Sequence, residues 1–211
     1  MMDIIDIHTH RTDATAALIS ADPRHFDPQP GLWYSVGIHP WDTSADLTDD
    51  DFSLLESCAA HPQVLAIGET GMDRLQGGEL TVQESVFIRH LQVAHDEGLP
   101  VIVHNVRCTQ DILNARRKAG MEQVAMIIHG MRGNKHIART LLEAGCYLSY
   151  GARFNPAALL STPLDRLLIE TDDTPSTTID EVAALVAQAL SLTPEEVICH
   201  VITNILRLFK Q

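Results

Sequence analysis

The sequence predicts a distorted (β/α) barrel, a TIM-type α/β fold with a metal site at the C-terminal ends of its strands. Three observations lead there. Short apolar runs alternate with amphipathic helical stretches along the 211-residue chain, which is the pattern of parallel β/α units. Eight runs qualify as strands, the number that closes such a barrel. Histidines and carboxylates stand at the ends of most of these runs, on the face where this fold forms its active sites.

The first candidate strand, residues 3–8, runs into His8-Thr9-His10. Side chains alternate along a strand, so Asp6, His8 and His10 share one face. Two imidazoles so placed can grip one divalent cation, and Asp6 can orient an imidazole from behind. A weaker strand is expected at 15–20. Only residues 9–14 separate the two, whereas a parallel crossover takes a dozen residues or more. Either the first helix is missing or 15–20 is not a regular parallel strand, and one side of the barrel is thin. Residues 21–31, with Pro23, Pro28 and Pro30, read as loop.

The strand 32–38 runs into Gly37-Ile38-His39-Pro40, and a helix over 49–60 opens on Asp49, Asp50 and Asp51, which suit its N-terminal dipole. The strand 64–68 runs into Glu69-Thr70-Gly71-Met72-Asp73. The helix 79–97 carries apolar positions at Val82, Val86, Phe87, Leu91 and Ala94, as a helix packed on a sheet should. Strand 100–104 ends at His104, and a helix follows over 108–119. Strand 124–129 ends at His129, and a helix follows over 134–144. Strands 145–150 and 166–170 come next, the latter running into Thr171-Asp172. A helix over 178–190 and two short ones, 194–200 and 201–209, complete the chain. Thr193 caps the first of these and Pro194 sits in its first turn.

Composition narrows the function. An apolar fraction of 45% and a charged fraction of 20% are ordinary for one soluble domain spanning 1–211. No apolar run reaches membrane-span length. The N-terminus lacks a signal-peptide pattern, so a cytoplasmic location is expected. Cys58, Cys108, Cys146 and Cys199 are scattered with no Cys-x-x-Cys, which fits reduced thiols. A net charge of −13 argues against broad electrostatic binding of nucleic acid. No stable nucleic-acid complex and no membrane partner are expected.

The strand ends supply His8, His10, His104 and His129 with Glu69 and Asp172. Alone, each histidine is more often a hydrogen-bonded structural residue, Glu69 could be a helix cap and Asp172 a loop residue. Together they form a mixed nitrogen and oxygen donor set that suits zinc, manganese or iron, and magnesium less comfortably. Six ligands exceed the need of one open catalytic zinc and divide into two sites with a carboxylate between them. His39 faces either substrate or a structural role. His25, His61, His90, His95, His136 and His200 fall in loops and helices and are expected to be solvated or packed.

These stretches resemble the TatD-related metal-dependent DNase family within the amidohydrolase-like barrels. The likeness rests on Asp6-x-His8-x-His10, Val36-Gly37-Ile38-His39-Pro40, Ile67-Gly68-Glu69-x-Gly71-x-Asp73, Gln83-x-x-x-Phe87, Pro100-Val101-Ile102-Val103-His104, His129-Gly130, Glu170-Thr171-Asp172 and Asn204-Ile205-Leu206-Arg207-Leu208-Phe209. It runs in order over nearly the whole chain. The resemblance implies a hydrolase of phosphodiester bonds in DNA that uses two divalent ions. It assigns His8, His10 and Asp172 to the first ion, His104 and His129 to the second, and Glu69 as the bridge. The chain departs from the family pattern in several rim loops. The segment after His10 is shortened, His129-Gly130-Met131-Arg132-Gly133 replaces the usual His-Cys-Phe-Ser-Gly, Arg107 follows His104 by three residues rather than two, and Pro175 lies one residue further from Asp172.

The expected chemistry is attack of a metal-activated water on phosphorus, with Asp172 accepting its proton and Glu69 holding the site. Arg11, Arg74, Arg107, Arg132, Lys135 and Arg153 follow strand ends and make the rim locally basic. His39, Arg107, Arg132 and Arg153 are the candidate substrate contacts. The alternatives are hydrolysis of a small amide, ester or lactone, and a non-catalytic metal- or nucleotide-binding role.

Overall fold

Runs of aliphatic residues bounded by glycine, proline or polar clusters become the strands of the computed structural model, which describes residues 4–44, 46–174 and 176–209. Among the described residues the strands are β1 (Asp6–Thr9), β2 (Ala17–Ala21), β3 (Trp33–Val36), β4 (Val64–Asp73), β5 (Val101–Val106), β6 (Met126–Ile128), β7 (Tyr147–Tyr150) and β8 (Leu167–Ile169). They follow one another in chain order around a closed parallel barrel. The helices are α1 (Asp49–Ala59), α2 (Leu80–Glu97), α3 (Thr109–Lys118), α4 (Lys135–Glu143), α5 (Pro156–Leu159), α6 (Ile179–Leu190) and α7 (Pro194–Leu208). Asp3 and Pro175, both used in the sequence reading, lie outside the described residues. Among those described, no single helix is long and apolar enough to cross a membrane. The chain divides into two compact units, residues up to 19 with those from 127 onward, and residues 20–126.

In the first unit β1 pairs in parallel with β2, Asp6 opposite Ala17, and with β8, Asp6 opposite Ile169. β2 is therefore a true parallel strand, and the missing element is the helix. The short strands make this possible. Returning along three residues of strand and stepping sideways by one strand requires roughly 15 Å, while the seven residues 10–16 can reach about 23 Å. Ala16 turns the chain at φ 56°, and its carbonyl accepts the N–H groups of Ile5 and Asp6.

α7 corrects a second expectation. It is one helix, not two, because its buried stripe Val197, Val201, Asn204, Ile205 and Leu208 keeps helical spacing straight through residue 200. Thr193 and Glu196 form the capping box at its start, and Thr178 and Glu181 form the one on α6.

In the second unit β4 extends to Asp73, five residues beyond the expected end. Gly68 and Gly71 resemble turn punctuation in the sequence, but here they let β4 lie against β5. A Cβ at Gly71 would collide with the His104 backbone. The β4–β5 register advances from Ile67↔Val101 to Thr70↔Val103, so one extra residue sits on β4 beside Glu69. Such a bulge re-aims the local side chain. His104 accordingly lies within β5 rather than at its end. α2 buries Phe87 and Leu91 completely, worth about 1.5–3 kcal/mol each, and stops at Gly98 in the left-handed conformation.

Candidate metal centre

The first unit gathers His8, His10, His129, Glu170 and Asp172. His8 lies in β1 and His10 just after it. Their ring centroids are 4.9 Å apart, and their Nε2 atoms lie 3.7 and 3.8 Å from Asp172 Oδ1. Donors ~2.1 Å from one ion stand ~3.0–3.4 Å apart in octahedral or tetrahedral geometry, so the trio fits an ion with a small adjustment. The His129 ring lies 4.5 Å from that of His8. Its Nδ1 is 3.5 Å from Oε1 of the fully buried Glu170. That oxygen accepts the Gly130 N–H at 2.5 Å, while Glu170 Oε2 is buried without a hydrogen-bond partner among the described residues. A buried carboxylate oxygen in that state is costly unless a cation or proton meets it.

The loop bearing Asp172 is tied to β1. Asp172 sits at φ 54°, its N–H donates to the His8 carbonyl, and its own carbonyl accepts from His10 N. Asp6 works on this loop. Its carboxylate accepts from Thr171 Oγ1 at 2.6 Å, from Thr171 N at 3.0 Å and from the His8 backbone N–H at 3.4 Å. The sequence reading gave Asp6 an imidazole to orient; in the structure these bonds position Thr171 and, through it, Asp172. Burial pushes the Asp6 carboxyl up to about 6, against the Thr171 hydrogen bonds that favour its charged form.

The second unit gathers His39, Trp41, Glu69, Asp73 and His104. His104 Nδ1 lies 2.6 Å from Glu69 Oε1, and its Nε2 lies 3.2 Å from Asp73 Oδ2. With the Nε2 proton given to Asp73, the Nδ1 lone pair points at a carboxylate, and that short contact calls for a proton or a metal ion. His39 Nδ1 accepts the Trp41 N–H, so its own proton sits on Nε2, 3.1 Å from Glu69 Oε1. His39 in this tautomer orients Glu69 rather than offering a lone pair.

Asp73 also accepts the indole N–H of Trp41 at 2.7 Å on Oδ2, and the N–H groups of Leu75 and Gln76 on Oδ1. Burial alone would raise its pKa, but these bonds outweigh that and hold it below the usual carboxylate range. Gln83 of α2 fixes the same loop, accepting from Asp73 N and donating to the Asp73 and Gly78 carbonyls.

The candidate substrate cations are more scattered. Arg132 is exposed, with Nη2 3.8 Å from Asp172 Oδ2. Arg153 is exposed after β7, and Arg107 is exposed in the left-handed region at φ 56°. Arg74 is taken by Asp111 at 2.5 Å, and Arg11 lies 3.9 Å from Asp6 and hydrogen-bonds Thr171. Three residues in these clusters had no role in the sequence reading. Asp73 and Glu170 stand inside the family-like motifs with no role of their own, and no motif marks Trp41. For the first two the available signal was a second carboxylate close in sequence to Glu69 and to Asp172.

The chain matches the TatD related DNase family over residues 5–210, and it belongs to that family. It is 30% identical over 200 residues to a Bacillus subtilis protein described as an uncharacterized metal-dependent hydrolase, YabD, covering 85% of this chain and 78% of that one. It is 31% identical over 153 residues to a Cronobacter turicensis protein described as the 3'-5' ssDNA/RNA exonuclease TatD, covering 67% of this chain and 57% of that one. Other relatives are matched over 54 to 58% of their length. The crystal structure of YjjV, a TatD homolog from Escherichia coli K12, shares the fold at a TM-score of 0.83 and 19% identity, covering 100% of this chain and 99% of that one.

Proposed function

We propose that this chain is a divalent-metal-dependent hydrolase of phosphodiester bonds, acting on DNA or a smaller phosphodiester as a deoxyribonuclease of TatD type. The observation that carries the metal is the 2.6 Å approach of His104 Nδ1 to Glu69 Oε1 beside an Nε2 already committed to Asp73. The phosphodiester specificity draws on the family and on the relative described as an exonuclease.

In this reading His8, His10 and Asp172 hold one ion, Glu69 and His104 hold a second, and His129 is a further ligand. When bound, such ions would supply Lewis acidity to a water and to the phosphoryl group. Asp172 accepts the proton of the attacking water. Thr171 and Asp6 keep that carboxylate turned toward His8 and His10. Arg132, near Asp172, receives a non-bridging phosphate oxygen, with Arg107 and Arg153 as further phosphate contacts. His39 holds Glu69 and meets substrate with its exposed edge.

Elemental analysis after saturation with zinc or manganese tests the metal content, and a panel of phosphodiester and carboxylic ester substrates tests the reaction. Two ions per chain with phosphodiester turnover is the expected result. Turnover of esters or lactones alone would overturn the substrate assignment, and a saturated chain without metal would overturn the reading altogether.

A further inference from the structure

We infer that Trp41 is a stacking platform for a base of the substrate, placed beside the Glu69–His104 pair. The inference rests on the phosphodiesterase reading and names the group flanking the phosphate that the chain recognises.

The indole is both fixed and open. Its N–H is anchored on Asp73 Oδ2 at 2.7 Å. Its ring meets those of His39 and His104 nearly at right angles, with centroids 4.7 and 5.8 Å away. Trp41 nevertheless keeps 49% of its surface exposed. A tryptophan serving only the core would be buried, and one serving only as a tether for Asp73 would need no open face. A large apolar surface held rigid next to a metal-ligand pair costs solvation free energy in the unliganded protein. Leu75, 60% exposed, hangs by its backbone N–H on the other oxygen of the same carboxylate. Asp73 thus fixes two exposed apolar residues and one imidazole together.

A flat aromatic ring is the group that an ordered, half-open indole recognises best. Every nucleobase offers such a face, so the contact tolerates any base sequence. It also needs no positive charge, which suits a chain of net charge −13. Trp41 therefore selects phosphodiesters that carry a base over those that do not.

The test compares cleavage of an adenine dinucleotide with that of the same dinucleotide in which tetrahydrofuran replaces each base, using manganese-loaded protein. The wild type should favour the base-bearing substrate about five- to tenfold in kcat/KM, the lower range of base–aromatic stacking. Trp41→Ala should bring that ratio close to one, whatever happens to the absolute rates. Trp41→Phe loses the N–H to Asp73 but keeps an aromatic face, so it should retain most of the preference. If Trp41 only tethers Asp73, Phe and Ala will behave alike and the ratio will be unmoved, which overturns the inference and leaves the phosphodiesterase reading standing.

Failure to cleave either dinucleotide would instead overturn that reading. A binding measurement then decides the inference by itself. In a Trp33→Phe background Trp41 is the sole indole, since the chain has two tryptophans. Deoxyadenosine monophosphate should quench its emission saturably and deoxyribose 5-phosphate should not. Equal quenching by both, or by neither, removes the platform.

Discussion

Replacing Asp73 with asparagine should weaken binding of one divalent ion about 10- to 100-fold, the usual cost of losing the group that orients a ligating histidine. Asp73 uses two oxygens to accept four N–H groups: Leu75 and Gln76 on Oδ1, Trp41 and His104 on Oδ2. Asparagine has one acceptor oxygen. The two backbone donors are fixed by the loop, so the amide oxygen stays with them and the amide NH2 turns toward Trp41 and His104. His104 then faces a donor at Nε2. It satisfies that donor by moving its proton to Nδ1, the atom 2.6 Å from Glu69. The lone pair needed for metal is lost, and recovering it strands an N–H at about 1–3 kcal/mol. That span corresponds to roughly 5- to 150-fold in affinity, which brackets the expected loss. Competition between the protein and a chelator for manganese reads the affinity directly, and urea unfolding of the same variant reads the loop. Unchanged metal affinity with lowered stability would show that Asp73 only secures the loop and would refute the reasoning.

Two other perturbations separate chemistry from scaffold. Asp172→Asn should lower kcat by about 10²–10⁴-fold even at saturating manganese, because an amide cannot accept the proton; near-wild-type turnover there would leave Asp172 as a ligand only. His90 is buried, its Nε2 accepting the Ile38 N–H and its Nδ1 donating to the Val86 carbonyl, and burial lowers its pKa to about 4. The folded state thus favours neutral His90, so its contribution is whole above pH 6.5 and is lost as pH falls from there toward 4. That amounts to about 3 kcal/mol, visible as a smaller acid-induced fall in urea midpoint for His90→Gln than for the wild type; identical falls would contradict it.

The barrel and the histidines that its strand ends bring together were legible because both follow local rules. An imidazole at the end of an apolar run stands out from its neighbours, and His8, His10, His104 and His129 all have that setting. What the sequence hid depends on distance. The length of β4 was hidden because Gly68 and Gly71 look like turn residues until β5 is seen pressed against them. The expectation of two short helices in place of α7 fails because the buried stripe continues straight past residue 200. The Asp73–Gln83 clamp joins a strand end to a helix ten residues on, and no periodicity announces a polar pair. Trp41 gains its meaning only from the carboxylate 32 residues later that fixes it. His90, expected to be solvated or packed, is packed, and its partners, the Ile38 N–H and the Val86 carbonyl, show only in the structure.

The charges within each cluster fix an order of events. The first unit's cluster brings Glu170 and Asp172, and the second unit's brings Glu69 and Asp73, so with neutral imidazoles each carries a formal −2. A phosphodiester 5 Å from one such carboxylate meets a repulsion of about 3 kcal/mol at an effective dielectric of 20. One divalent ion cancels that formal charge in each cluster. On the proposed function metal should therefore load before substrate, since the exposed arginines stand against a net charge of −13. Single-stranded DNA should bind weakly to chelator-treated protein, and markedly tighter once manganese is restored to a variant disabled by Asp172→Asn. Few phosphates are neutralised, so log affinity should fall only shallowly with log salt. Tight metal-free binding with a steep salt slope would mean that a basic surface, rather than the ions, attracts the polymer, and it would break the proposed order.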